Sequence, residues 1–99
     1  MYILNVYYHT KNGKRENFLA AIKNEKIDLE CRKENGNIMY DYYLSDKDPN
    51  ELLLVEKWES KGAQQTHCET PHAKRLQEIK ALFVNHYGIS SDVSSADYY

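Results

Sequence analysis

Leu52-Leu53-Leu54-Val55-Glu56-Lys57-Trp58 is an apolar run that closes on a carboxylate and an indole. Glu59-Ser60 follows it, and beyond His67 the segment Thr70-Pro71-His72 opens a helix. Side chains alternate along a strand, so Leu52, Leu54, Glu56 and Trp58 share one face. Ser60 is placed to cap a short helix over Lys61 to about Cys68. Thr70 caps the next, with Pro71 at its first position, where a missing N–H costs nothing. In that second helix His72, Leu76, Ile79 and Phe83 recur at helical spacing, which turns His72 toward the core side. One charged strand residue, one Trp and two histidines are thereby gathered near one end of a small domain, where a pocket can form.

Working outward, Ile38 to Leu44 is a second run of β-formers, joined to the first through Ser45-Asp46-Lys47-Asp48-Pro49-Asn50. A polar, Pro-containing link of this kind makes the two runs an antiparallel hairpin. Upstream, Tyr2 to Tyr8 alternates as a strand, with Leu4 and Val6 on the face of Tyr2 and Tyr8, and Ile3, Asn5 and Tyr7 on the other. Asn12-Gly13 turns the chain into a helix over Lys14 to about Ile27, carrying Phe18, Ala21 and Ile22 at helical spacing. A short helical turn over Asp28 to Lys33 follows and ends at Asn35-Gly36, where the backbone needs a left-handed residue. After Tyr87-Gly88 a Ser-rich tail ending in Tyr98-Tyr99 has weak strand character and is available to pair with a partner subunit.

The order strand, helix, strand, strand, helix, strand predicts an α+β fold of the ferredoxin-like βαββαβ split arrangement, an antiparallel sheet with helices on one face. Residues 1–99 form one domain in this reading, with 88–99 a tail or short last strand. Apolar and aromatic positions on both faces of the strands predict that the free sheet face packs on a second copy. A homodimer closing face to face is the expected assembly.

At 99 residues the chain lies near the lower limit for a self-sufficient core, which adds weight to a dimer. A net charge of -2 and an interleaving of Lys and Arg with Asp and Glu give no basic field, so nucleic acid is not an expected partner. The apolar runs are too short to cross a bilayer or to form a signal-peptide core, and a cytoplasmic location follows as the default. Cys31 and Cys68 form no C-x-x-C pair and are expected as reduced thiols. Nine tyrosines are the one marked bias; their large rings and polar tips suit half-wet cavities and interfaces, and also plain strand packing.

The chain has no phosphate-binding Gly loop, dinucleotide fingerprint, H-E-x-x-H or clustered Cys ligands. His67 and His72 are five residues apart across a helix start and lack the spacing that presents two ligands on one helix, so no metal site is expected. Glu56 beside Trp58 on a buried face either makes a structural hydrogen bond or acts in a pocket, and burial would raise its pKa unless a donor holds it ionised. His67 is the candidate for active-site work. His72 reads as a hydrogen-bonded residue at the core rim, and Trp58 as core or pocket wall. Asn5, inside a strand where Asn fits poorly, would be a useful donor to a substrate oxygen if its amide pointed to the helix side.

Glu34-Asn35-Gly36-Asn37-Ile38-Met39-Tyr40, Asp48-Pro49, Leu54-Val55-Glu56-Lys57-Trp58, His67 and Thr70-Pro71-His72 together resemble the antibiotic biosynthesis monooxygenase family. The likeness extends from Tyr2 to about Phe83. Its members are small dimeric α+β barrels that include quinol monooxygenases and an enzyme processing a phosphorylated autoinducer. The resemblance implies a cofactor-independent pocket between helices and sheet, in which an electron-rich substrate reduces O2 after deprotonation. It implies His67 as base or polar anchor, Asn5 as donor to the substrate oxygen, Glu56 as the group orienting a donor, and Tyr40, Tyr42 and Trp58 as walls, with His72 at the substrate-binding rim. Haem-degrading members carry an Asn in the first strand, a Trp in the helix after the third strand and a later His as iron ligand. Asn5 matches the first, but His67 stands near the place of the Trp and Gln77 near that of the ligand His, which disfavours haem.

The leading expectation is a cofactor-free monooxygenase acting on a small aromatic or quinol-like metabolite. The alternatives are an isomerase or processing enzyme for a small phosphorylated signalling metabolite, in which Glu56 and His67 move protons without oxygen, and a non-catalytic dimer that binds a small ligand.

Overall fold

A computed structural model describes residues 1–91. It consists of β1 (Tyr2–Thr10), α1 (Arg15–Asn24), α2 (Ile27–Arg32), β2 (Asn37–Leu44), β3 (Glu51–Trp58), α3 (Lys61–Cys68), α4 (Pro71–Phe83) and β4 (Val84–Ser91). The strands form one antiparallel sheet in the order β2-β3-β1-β4. This is the ferredoxin-like split arrangement. Helices cover the face that carries Leu4, Val6, Tyr8, Tyr40, Leu52, Leu54 and Trp58, and Phe18, Ile22, Ile27, Leu76 and Ile79 complete the core from the helix side. No helix among the described residues is long and apolar enough to cross a membrane.

Register decides which side chains meet. β3 is central, pairing Leu4 of β1 and Tyr40 of β2 with the same residue, Glu56. All three therefore share the helix-covered face. The caps form as their residue types predict: Ser60 Oγ accepts from the Ala63 N–H at 3.1 Å and Thr70 Oγ1 from the Ala73 N–H at 3.2 Å. The Thr70 hydroxyl also donates to the His67 carbonyl at 2.7 Å, tying the end of α3 to the start of α4.

Two boundaries differ from the sequence reading. The first helix stops at Asn24, and Lys26 adopts a left-handed φ of 58° before α2 starts at Ile27. Ile27 is wholly buried, and the break is what lets the chain aim it at the core. The last strand starts at Val84, directly off α4, not at residue 88. Its sequence is a weak strand former, but β1 would otherwise present an unpaired row of backbone groups, and pairing along Leu4–Thr10 satisfies them. The Ser-rich tail beyond Ser91, with Tyr98-Tyr99, lies outside the described residues.

Gly36 shows why the α2–β2 turn has its composition. It has φ 88°, its carbonyl accepts from the Glu59 N–H at 2.8 Å, and a Cβ there would lie 2.8 Å from the Ala63 Cβ. Left-handed geometry and close approach both require glycine. The consequence is that α2, the turn and α3 are packed tightly just where Glu34 and His67 face each other.

Candidate functional site

A cavity of about 150 Å³ lies between the helices and the sheet, walled by Leu4, Val6, Leu54, Leu76 and Ile89 and lined by the polar groups of Tyr40, Glu56, His67 and Lys80. Strand alternation delivers Tyr40 and Glu56 to it. α3 delivers His67, one turn after Ala63, as its single buried residue, and α4 delivers Leu76 and Lys80 four residues apart.

His67 is held from both sides. Its Nδ1 lies 2.6 Å from Glu34 Oε2, and its ring packs on the fully buried indole of Trp58 with centroids 4.9 Å apart. The same Glu34 oxygen is 2.8 Å from His72 Nε2. Glu34 accepts from both rings, so the Nδ1 hydrogen of His67 faces the carboxylate and Nε2 is left as the basic nitrogen. A carboxylate that orients an imidazole and stabilises its protonated form is the arrangement a general base requires.

Trp58 Nε1 donates to Glu56 Oε1 at 3.0 Å. Burial nonetheless raises the Glu56 pKa above the ordinary carboxylate range, and the indole N–H only opposes this. An acid whose folded pKa exceeds its unfolded value stabilises the fold below the unfolded pKa, and loses that contribution as pH rises through the folded pKa. Wild-type stability relative to Glu56→Gln is therefore expected to fall as pH rises from the usual carboxylate range through the raised one. Urea unfolding of both proteins across pH checks this, and a constant difference would show that Glu56 titrates alike in the folded and unfolded chain.

Of the residues singled out in the sequence, Glu56, His67 and Tyr40 line the cavity. Trp58 stands behind them as support, and Tyr42 meets Tyr40 edge-on at 5.9 Å without lining the cavity. His72 sits across Glu34 from His67. Asn5 is on the other side of the sheet: it registers with Val55 and Ser90, while its neighbour Leu4 registers with Glu56. Its amide does not point to the helix side, because strand alternation turns Asn5 away with Ile3 and Tyr7.

Two site residues were not identified from sequence. Glu34 reads as an ordinary acidic residue beside a turn, and nothing in its own segment reveals the two histidines it joins. Lys80 carried a usable signal, since it lies eight residues after His72 and four after Leu76 on the inward face of α4. Burial lowers its pKa, while the Glu56 charge acts the other way.

The donor atoms of Cys31, Glu34, His67 and His72 all lie within 4.8 Å of one another. These four are the residues that could hold a cation beside the cavity, assembled from three helices and a turn where the spacing of His67 and His72 on the chain suggested no shared site. Burial pushes the Cys31 thiol up to about 12, and without a metal it is a protonated core side chain. On the opposite sheet face a wider concavity of about 370 Å³ is lined by residues including Tyr7, His9, Tyr43, Leu53 and His86.

The antibiotic biosynthesis monooxygenase family model matches residues 1–79. The chain is 33% identical over 72 residues to "Putative monooxygenase YcnE" of Bacillus subtilis (strain 168), covering 73% of this chain and 74% of that one. Among solved structures, "Putative antibiotic biosynthesis monooxygenase from Nitrosomonas europaea" superposes with a TM-score of 0.83 at 25% identity, covering 92% of this chain and 95% of the other. A conserved protein from Methanosarcina mazei Go1 superposes with a TM-score of 0.81 at 24% identity, over 92% and 90% of the two chains, and shares the fold.

Proposed function

Because the chain belongs to the antibiotic biosynthesis monooxygenase family, we propose that it is a cofactor-independent monooxygenase oxidising a small aromatic, quinol-like metabolite with O2 in the cavity between helices and sheet. The observation that carries this reading is the Glu34–His67 contact of 2.6 Å at the edge of a largely apolar cavity. An apolar cavity of about 150 Å³ holds a benzene-sized molecule, so the space suits one aromatic ring. Gln77, not a histidine, lines the cavity at the position the resemblance gives to an iron ligand, which also favours chemistry without haem.

In this mechanism His67 Nε2 removes a hydroxyl proton from the substrate, and Glu34 stabilises the imidazolium that forms. The deprotonated ring donates an electron to O2, and the two radicals combine to a peroxide on ring carbon. Loss of water then leaves a hydroxyquinone: hydroquinone and O2 become hydroxyquinone and water, with all four electrons drawn from the substrate. The protein supplies the base, the orientation and a largely apolar space. A panel of hydroquinones followed by oxygen uptake and product analysis tests this. Oxygen-dependent turnover above the protein-free rate supports it; product formed equally without oxygen would point instead to proton-transfer chemistry at the same residues.

The outer sheet face supports a homodimer as the working unit. Tyr7 is 46% and Tyr43 49% exposed there, beside half-buried Ile3, Leu53 and Val55, an apolar surface that a small domain gains by covering. Sedimentation equilibrium of the full chain is expected to give twice the chain mass, and a monomer at micromolar concentration would remove the dimer from the proposal.

A further inference from the structure

We propose that Cys31, Glu34, His67 and His72 form a site for one zinc-class divalent ion, a metal site that adjoins the cavity without belonging to it. Of the four residues, only His67 also lines the cavity.

Their donor atoms all lie within 4.8 Å of one another. Bonds of about 2.0–2.3 Å to a tetrahedral ion would set neighbouring donors about 3.3–3.6 Å apart. Glu34 Oε2 stands nearer than this to both rings, 2.6 Å from His67 Nδ1 and 2.8 Å from His72 Nε2. Two ring N–H groups thus converge on one oxygen, and an ion in place of their hydrogens needs the carboxylate to withdraw by roughly 0.5–1 Å. Glu34 and His72 stand at the solvent edge, with side chains 14% and 19% exposed, which leaves the carboxylate space to move and gives an ion its route in.

Cys31 closes the site from inside. It is fully buried and lies three residues before Glu34, the interval of paired ligands in many structural zinc sites. The Glu34 N–H donates to the Cys31 carbonyl at 3.2 Å, which holds that interval as a turn. Burial disfavours the Cys31 thiolate, and a hydrogen bond from the Tyr40 hydroxyl favours it. A coordinated cation decides the balance, because a metal-bound thiol is deprotonated outright.

The donor set selects the ion. One sulfur, two imidazole nitrogens and one carboxylate suit the zinc class, whereas Ca2+ and Mg2+ take shells of oxygen. Charge closes as well: two positive charges meet one thiolate and one carboxylate, so the buried complex is neutral. On binding, the thiol proton leaves to solvent and each ring proton moves to the other nitrogen of its imidazole. His67 Nε2 then carries a hydrogen, so the metal-bound chain lacks the base of the proposed oxidation. Ion and base are alternative states of one histidine.

The test titrates the full chain, reduced and stripped of metal, with Co2+ as a coloured stand-in and then with Zn2+. One Co2+ per chain should bind with the intense visible bands of four-coordination and a near-ultraviolet thiolate-to-cobalt band. Zn2+ should displace it and raise the unfolding temperature. Cys31→Ser should lose the thiolate band, and both Cys31→Ser and His72→Gln should weaken Zn2+ binding at least about tenfold, with circular dichroism confirming that each variant folds. His72→Gln alters a residue at the solvent edge, so it decides the matter even where Cys31→Ser does not fold. Cys68→Ser removes the exposed thiol and His9→Ala breaks the cluster of His9, Asp48 and Glu51; neither should change the band or the affinity. No binding by the unaltered chain, six-coordinate cobalt without a thiolate band, a band lost in Cys68→Ser, or an affinity lost in His9→Ala would overturn the proposal. Neither O2 nor a substrate enters the measurement, so the metal site and the oxidation stand or fall separately.

Discussion

His67→Gln is expected to lower oxygen-dependent turnover of a responsive hydroquinone by about 10²–10⁴-fold, the usual contribution of a positioned general base. The amide side chain fills most of the imidazole's volume and can still donate to Glu34, so the fold and the cavity survive while the basic nitrogen is lost. The effect should fall on kcat with little change in KM, because the base acts on the substrate proton in the transition state and adds little to ground-state binding. Glu34→Gln keeps the imidazole but removes the charge that orients it, and a loss of about 10–100-fold is expected, as for partners that orient a functional histidine. Steady-state oxygen uptake by the three proteins checks the order. Turnover unchanged in His67→Gln would remove His67 from the chemistry and leave the cavity as a binding site.

Trp58→Ala carries the largest expected effect on stability, a loss of about 3–5 kcal/mol, as for truncation of a fully buried large aromatic. Trp58 is wholly buried, supports the His67 ring at 4.9 Å and donates to Glu56 at 3.0 Å. A domain of this size has only about 5–15 kcal/mol in total, so the variant should be marginal at room temperature. Trp58→Phe separates packing from hydrogen bonding. It keeps most of the buried area but leaves Glu56 Oε1 without its donor, for an expected cost of about 1–3 kcal/mol. Urea unfolding of the two variants measures both terms, and a loss below about 1 kcal/mol in Trp58→Ala would contradict the role of the indole as a central packing piece.

The fold was legible because its signals are local. Alternation along Leu52–Trp58, the caps at Ser60 and Thr70, and the turns at Asn12-Gly13 and Asn35-Gly36 each act within a few residues, and together they order the elements of a ferredoxin-like domain. The resemblance to the monooxygenase family rested on these segments too, and the family model match over residues 1–79 agrees with it. Where local signals were weak the reading slipped. Val84–Ser91 became a strand because β1 offered it a partner, and Ile27 began a new helix because the core required its side chain.

The site was legible only in part. Glu56 and Trp58 were paired correctly because residues two apart on a strand share a face, a fixed rule of backbone geometry. The same rule placed Asn5 with Ile3 and Tyr7, and the structure holds it on that face, away from the cavity. Glu34 and Lys80 differ in kind. Lys80 lay on a helical face that could be read, whereas Glu34 acquires meaning only when the Gly36 turn brings α2 against α3 and α4. What the chain alone determined, then, is which elements form and which side chains share a face, since backbone periodicity and capping operate between near neighbours. Only the tertiary structure decided that one oxygen of Glu34 joins His67 to His72, and that Tyr40 and Lys80 line one cavity, because contacts between groups more than 30 residues apart depend on how whole elements pack.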